Sequence, residues 1–476
     1  MNSNLRLRKT KIIATIGPAC DDEATLRSMM VAGMNVARLN LSHGTFDEHA
    51  ARISRMRNVA AELGANLAVM VDTRGREIRT GILNGSSIGL EPGAEFMLYS
   101  DARPGDIAGV SVSHPTLHDY VKLRDRILLD DGLIELSVSG VALDGIRCVV
   151  ECGGELRNNK GVNVPGNSNV FDSIDSDVEG DLEFVAANDV EYVAASFIRD
   201  AADINRLRAK LDALGADTPI IAKIESRGGV ENLDEIIAVA DGTMVARGDL
   251  GVELPLAEGP TIQKRIIRST VTNGKPVITA TQMLDSMERN PRPTRAEVSD
   301  VANAILDGTS AVMLSGETAA GAYPVEAVRT LAELAREAEI GLQEFGHLQK
   351  ILPHPSDRVT DAVAHASITM ADNLKAAAIV ALTETGFTSR LISKYRPGCP
   401  ILAISSSQRV VRRLAMNWGV TAIQYTGDGA DDDRLEFAMR AARESGYARS
   451  GDIVIATTGS NSRAGSTDLI RVLTLE

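Results

Sequence analysis

Short apolar runs of strand length recur along this chain, and between them apolar residues fall at helical spacing. The stretch Pro219–Gly251 shows the pattern most clearly. One run, Pro219–Ala222, leads into Lys223-Ile-Glu225, and a second, Thr243–Ala246, leads into Arg247-Gly-Asp249. Val230, Leu233, Ile236 and Ile237 lie between them with the spacing of one helix face. A strand, helix, strand order predicts adjacent parallel strands joined by a right-handed crossover. Both strands then deliver their charged residues on the same carboxyl-end rim. Lys223 and Glu225 fall on one face, because strand side chains repeat every two residues.

The same rhythm runs on either side. Thr10–Gly17 reads as a strand, followed by a helix over about Asp22–Ala32. Asn35–Gly44 is a strand whose end presents Arg38, Asn40 and Ser42 on one face, and a helix over Asp47–Leu63 follows. Leu67–Asp72 is the third strand. The rhythm then stops. From about Thr80 to Asn169 the chain is Gly-rich and strand-rich, with turn signals at Leu83-Asn-Gly, Glu91-Pro-Gly, Arg103-Pro-Gly and Asp130-Asp-Gly. This predicts a small, mostly antiparallel β insert. The β/α alternation resumes with a helix near Asp177–Ala187 and a strand at Tyr192–Arg199. After the opening unit come strands beginning at Pro276 and Ser310, and Thr294-Arg-Ala-Glu297 between them reads as a capping box.

Eight parallel strands with polar ends predict an α/β fold of the (β/α)8 TIM-barrel class, whose working rim is at the carboxyl ends. Beyond the irregular Ile340–Pro355, a helix over Thr360–Asn373 and strands at Ala377, Ile401, Val420, Ile453 and Asp468 predict a C-terminal open α/β domain. The expected limits are 1–79 and 170–343 for the barrel, 80–169 for the inserted β lid and 344–476 for the C-terminal domain.

Composition narrows the function. A length of 476 residues suits roughly two to four domains. Aromatics are only 3%, so Ala, Val, Ile and Leu carry the core, as parallel α/β sheets prefer. A net charge of -14 argues against nucleic-acid or anionic-membrane partners. The four cysteines, Cys20, Cys148, Cys152 and Cys399, fit neither a zinc nor a disulfide spacing. The apolar run Ile12–Ile16 is too short for a signal peptide, and no run reaches the ~20 residues of a membrane span. A cytoplasmic protein is expected. His114 and His118 sit in the insert and are not expected to bind metal.

Lined up, the strand ends offer Arg38, Asn40, Ser42, Asp72, Thr73, Arg79, Lys223, Glu225, Asp249, Thr281 and Glu317. Carboxylates with neutral oxygens suit a hard cation such as Mg²⁺ or Mn²⁺. Asn40, Ser42, Asp72 and Thr73 could hold a monovalent cation. Arginines and a lysine beside a metal describe a site for phosphates. Two like charges ~4 Å apart cost about 4 kcal/mol at an effective dielectric near 20. Joining two phosphorylated molecules therefore needs several fixed cations, and phosphoryl transfer asks little more of a protein.

At these residues the chain closely resembles pyruvate kinase. The resemblance is carried by TKIIATIGP at Thr10, NVARLNLSHG at Asn35, DTRGREIRTG at Asp72, DDGLI at Asp130, KGVNVPG at Lys160, ASFIR at Ala195, Lys223-Ile-Glu225, MVARGDLG at Met244, ATQML at Ala280, PRPTRAEVSDVAN at Pro291 and LSGETA at Leu314. It implies phosphoryl transfer from phosphoenolpyruvate to ADP, giving pyruvate and ATP. It further implies Glu225 and Asp249 as Mg²⁺ or Mn²⁺ ligands, and Asn40, Ser42, Asp72 and Thr73 as K⁺ ligands. Arg38, Gly248, Asp249 and Thr281 become substrate contacts. Arg79 and Lys160, with Asn40, Leu41, Ser42 and His43, become nucleotide contacts. Lys223, Arg38 and Thr281 become the catalytic residues. Arg74-Gly75-Arg76-Glu77 departs from the family's Lys-Gly-Pro-Glu, while the retained Glu77 goes with K⁺ activation. The family likeness extends to a homotetramer and a sugar-phosphate effector loop at Thr383, Thr385, Gly386, Thr388 and Ser389, closed by Arg463. Phe387, where many relatives carry Arg, favours a monophosphate. Two other readings stay open: a metal-dependent lyase acting on a pyruvate enolate, and a metabolite sensor using only the C-terminal domain.

Overall fold

Eight short parallel strands, each flanked by helices, close on themselves once every strand has two neighbours. The computed structural model describes residues 8–75, 78–130, 132–166, 176–346, 351, 359–428, 431–459 and 467–476. Its strands Lys11–Thr15, Val36–Asn40, Ala68–Asp72, Tyr192–Ala195, Ile220–Ile224, Gly242–Ala246, Val277–Ala280 and Ala311–Leu314 form a closed barrel in chain order. The last pairs with the first, Ala311 against Lys11. Side-chain alternation explains why these strands read as continuous apolar runs. Ile12 and Ala14 face the outer helices, and Ile13 joins Val36, Met70, Ile221 and Ile278 in the interior.

Helix starts follow their local signals. Thr45 with Glu48, and Thr294 with Glu297, make the reciprocal bonds of capping boxes. The helical segment predicted after Glu225 is broken in two, at Arg227–Glu231 and Leu233–Val239. At the break the Asn232 side-chain amide donates to the Arg199 carbonyl at 3.0 Å.

The insert leaves the barrel after Asp72 and carries a seven-stranded sheet and a separate two-stranded one. All but one of its strand pairs are antiparallel, the exception being Glu95–Tyr99 with Gly109–Ser111. It has its own apolar core around Phe96, Leu98, Ile127 and Leu136. The C-terminal unit is a five-stranded sheet, four strands parallel and Thr467–Thr474 antiparallel at one edge. It packs against the barrel floor, where Ala415 and Met416 join the barrel's interior core.

Charge holds that contact in place. Glu191 is fully buried at the start of the fourth barrel strand. It accepts from Arg57 at 2.7 and 2.8 Å and from the Val69 N–H at 2.7 Å, and pairs with Arg412 of the C-terminal unit. Arg409 and Arg413 next to it pair with Asp217. Removing one partner from a buried ionic cluster strands the others, at a cost of about 3–5 kcal/mol. Glu191→Ala is expected to lower the unfolding midpoint in denaturant by a corresponding amount. An unchanged midpoint would contradict this account.

Candidate active site

The rim residues come from successive strand ends. Arg38 lies within the second strand, Asp72 ends the third, Lys223 sits near the end of the fifth and Glu225 just beyond it. Asp249 is in the first turn of the helix after the sixth strand, and Thr281 directly follows the seventh. The expected convergence is present. The Lys223 ammonium donates to Asp72 Oδ1 at 3.0 Å and lies 2.8 Å from Glu225 Oε1. Arg38 Nε donates to Asp72 Oδ2 at 2.7 Å and its Nη1 to Thr15 Oγ1 at 3.0 Å. Asp249 adds negative charge near Lys223.

Ser196 was not among the rim residues expected from sequence, yet it sits at the centre. Its hydroxyl accepts from Lys223 at 2.8 Å and donates to the Thr73 carbonyl at 2.9 Å. Lys223 therefore meets three acceptors, which matches its three protons. The only sequence signal was position: Ser196 stands one residue beyond the fourth strand. Phe197, next in line, adopts a left-handed backbone with φ 55° and donates its N–H to Glu225 Oε2 at 2.6 Å. A Cβ built on Gly75, in the segment leading to the insert, would stand 2.4 Å from the Phe197 ring.

Burial alone would raise the Asp72 carboxyl, but Arg38 and Lys223 outweigh it and hold it below the usual carboxylate range. Burial likewise works against the Lys223 ammonium, but Asp72 and Glu225 more than offset it and hold it above the usual lysine value. The two cations and the three carboxylates Asp72, Glu225 and Asp249 sum to a charge of about -1. The mouth is therefore slightly negative among the described residues. Among the described residues no three His, Cys, Asp or Glu side chains gather as a ready-made metal cage. Carboxylates such as Glu225 and Asp249 suit a divalent ion such as Mg²⁺, which keeps part of its hydration.

The oxygens predicted for a monovalent cation are neighbours. Asn40 lies opposite Asp72 in register, and Thr73 Oγ1 sits 3.3 Å from the Ser196 N–H. Asn40 Oδ1 accepts from the Ser42 N–H at 3.1 Å. Leu41 is buried, while Ser42 and His43 are exposed, the His43 carbonyl bonded to His49 Nε2 at 2.7 Å. Thr281 has a positive φ of 64°, and its hydroxyl accepts from the Gly248 N–H at 2.9 Å. Arg247, placed at the rim by the sequence but given no role there, holds this turn through the Thr281 and Gln282 carbonyls at 3.1 and 2.9 Å.

Arg79 and Lys160 meet in the insert rather than on the barrel. Arg79 pairs with Gly161 across two strands and its Nη1 donates to the Asn159 carbonyl, while Lys160 bonds Asp130 at 2.8 Å. Glu317, expected among the rim oxygens, is drawn away. Its two oxygens accept the Leu284 and Ser315 N–H groups at 3.0 and 2.7 Å, so it braces two loops. His118 bonds Ser100 at 3.1 Å and His114 packs edge-on against Tyr120.

In the C-terminal unit, Gly386 adopts φ 77° and its N–H donates to Thr383 Oγ1 at 2.9 Å. Thr385 bonds Arg390 through its carbonyl, and Thr388 Oγ1 lies 2.6 Å from Thr467 Oγ1. The Ser389 hydroxyl is buried with no partner among the described residues. These groups open the helix Phe387–Lys394, whose start favours an anion. Arg463, Arg76 and Glu77 lie outside the described residues.

The pKa directions set a pH window. The lowered Asp72 carboxyl contributes stability above its unfolded value near 4 and loses it as pH falls through the folded value. The raised Lys223 contributes below its unfolded value near 10.4 and loses it as pH rises through the folded value. Wild-type unfolding free energy is expected to drop between about pH 4 and 2 more steeply than that of Asp72→Asn. Parallel acid curves for the two proteins would rule out this role for Asp72.

Two family models match the chain: pyruvate kinase, barrel domain, over residues 7–328, and pyruvate kinase, alpha/beta domain, over residues 361–473. A pyruvate kinase of Bacillus licheniformis is 46% identical over 98% of this chain and 80% of its own length. One of Geobacillus stearothermophilus is 47% identical with the same coverage. One of Clostridium acetobutylicum is 42% identical over 99% of this chain and 100% of its own. With likeness of that depth over both its barrel and its C-terminal sheet, the chain belongs to the pyruvate kinase family of phosphotransferases.

Proposed function

We propose that this protein transfers the phosphoryl group of phosphoenolpyruvate to ADP, giving pyruvate and ATP in the final step of glycolysis. The observation that carries this reading is the Lys223 ammonium, locked between Asp72 and Glu225 beside Arg38. Arg38 and Lys223 face the phosphoryl oxygens of the substrate. The bond from phosphorus to the enol oxygen breaks as a bond to a terminal ADP oxygen forms, and the electron pair stays on the enolate. Lys223 stabilises that developing charge because it is already ordered and needs no reorientation. The enolate then takes a proton at its methylene carbon on the side of Thr281, through water.

Glu225 and Asp249 are the ligands for Mg²⁺ or Mn²⁺, which supplies the positive charge that the rim lacks. Asn40, Ser42, Asp72 and Thr73 are the ligands for K⁺. Gly248 and Asp249 line the substrate position. Arg79 and Lys160, with Asn40 to His43, bind the nucleotide phosphates. The insert closes as a lid over the barrel and keeps water from the phosphoryl group.

The C-terminal domain, residues 344–476, takes a sugar phosphate at Thr383, Thr385, Gly386, Thr388, Ser389 and Arg463. The Ser389 hydroxyl, buried without a partner among the described residues, supports this assignment. A homotetramer in the cytoplasm completes the reading. No helix of the described residues is long and apolar enough to cross a membrane.

A coupled assay for ATP from phosphoenolpyruvate and ADP tests the reaction. Lys223→Met is expected to lower kcat by about 10²–10³-fold or more, with the fold retained. Omitting K⁺ is expected to lower the rate. A folded variant with undiminished turnover rejects the mechanism. Sugar monophosphates are expected to lower the apparent KM for phosphoenolpyruvate, and Ser389→Ala to weaken that response. Identical kinetics with and without a panel of sugar phosphates would remove the effector site.

A further inference from the structure

Beneath the barrel floor, on the side away from the rim, lies a cleft of about 780 Å³. One wall is the segment that leads into the first strand, with Arg8, Lys9 and Lys11. The other belongs to the C-terminal unit, with Arg396, Trp418 and Tyr447. Among the described residues, Arg336 and Lys375 complete six basic side chains, against two acidic ones, Glu339 and Asp372. The excess is about four positive charges, inside a chain whose net charge is -14.

The cations are held mainly as hydrogen-bond donors, and Glu339 is the one acid that acts on all of Arg8, Lys9, Lys11 and Arg396. Lys9 Nζ donates to the carbonyls of Pro397 and Gly398 at 2.9 and 2.6 Å, and Lys11 Nζ to the Val420 carbonyl at 2.7 Å. Arg396 donates to the Gly308 carbonyl at 2.7 Å and to Ser310 Oγ at 3.2 Å, and its Nε is buried without a partner among the described residues. Glu339, the acid nearest to them in the chain's own charge balance, accepts the backbone N–H groups of Lys9 and Thr10 at 3.0 and 2.6 Å. A carbonyl oxygen fills a donor's geometry but brings no full negative charge. Burial accordingly lowers the whole group: Arg8 to about 10, Arg396 to about 9 and Lys11 to about 7, with Lys9 below its usual value.

Gathering more positive than negative charge in a partly buried cleft is costly, and proteins keep few such excesses without use. We infer that this cleft binds a small phosphorylated anion, at a site separate from both the barrel rim and the Thr383–Ser389 loop. A volume of 780 Å³ falls within the ~300–1,000 Å³ of small-molecule sites. A phosphoryl group carries about -1.5 to -2 near neutrality and so offsets two of the cations from one position. A carboxylate offsets one. The ligand would touch both units at once, because Lys9 and Lys11 already reach across to the C-terminal sheet.

Inorganic pyrophosphate in Mg²⁺-free buffer is a suitable probe, titrated calorimetrically into the full-length protein. The comparison is between wild type, Lys11→Met, Lys11→Met with Arg396→Gln, and Ser389→Ala. One class of sites is expected to weaken roughly tenfold or more in the two cleft variants. Ser389→Ala is expected to leave that class intact, and ATP formation without pyrophosphate is expected to be unchanged in the cleft variants. Identical titrations of wild type and folded cleft variants overturn the inference. Should those variants not fold, wild-type crystals soaked in tungstate decide it. Anomalous density between Lys11 and Arg396 supports the site, and an empty cleft beside tungstate on the barrel rim refutes it.

Discussion

An ammonium group cannot stay charged deep in a protein without acids beside it, and the mouth of this barrel is arranged around that limit. Lys223 keeps its charge because Asp72 and Glu225 stand within 3.0 Å of it. Asp72 in turn stays ionised because Arg38 binds its other oxygen. Each group needs the next, so exchanging one alters the charge state of the others. The strand register supplies the spacing: Asn40 lies opposite Asp72, and Lys223 opposite Met244, on neighbouring parallel strands. What remains among the described residues is a small negative balance, which imported cations would offset. In that sense the fold, the ion cluster and the dependence on cations are a single argument.

The opposite end of the barrel has the reverse problem. There Arg409, Arg412 and Arg413 are matched to Asp189, Glu191 and Asp217, so the joint between barrel and C-terminal sheet is close to neutral. A short distance away, the cleft lined by Lys11 and Arg396 is only partly matched, by Glu339 and Asp372. Two neighbouring patches of one interface thus follow different rules. One is filled by the chain's own acids, and the other is left with cations facing carbonyls.

Much of the barrel was legible because its signals are local. Apolar runs of strand length, helical spacing between them and charged residues at the run ends are all properties of a few adjacent residues, and they placed Arg38, Asp72, Lys223 and Glu225 together. Partner allocation was not legible. Glu317 has the same chemistry and the same position relative to its strand as a rim ligand, yet two backbone N–H groups 33 and 2 residues away take its oxygens. Ser196 looks like any residue at a strand end until Lys223, 27 residues on, donates to it. The cleft was invisible for the same reason, since Lys9 and Pro397 are 388 residues apart. Sequence shows where charges sit along an element, and only distances show which of them have already been used.

Gly75 carries one more consequence. Its backbone has no positive φ to demand glycine, so the constraint comes from outside, from the Phe197 ring that would collide with any methyl group there. That same Phe197 presents its amide to Glu225. The position is therefore closed to ordinary sequence drift by the chemistry of the rim rather than by the shape of its own turn. A side chain at position 75 would enter only by moving the Phe197 ring, and with it the amide that Glu225 holds.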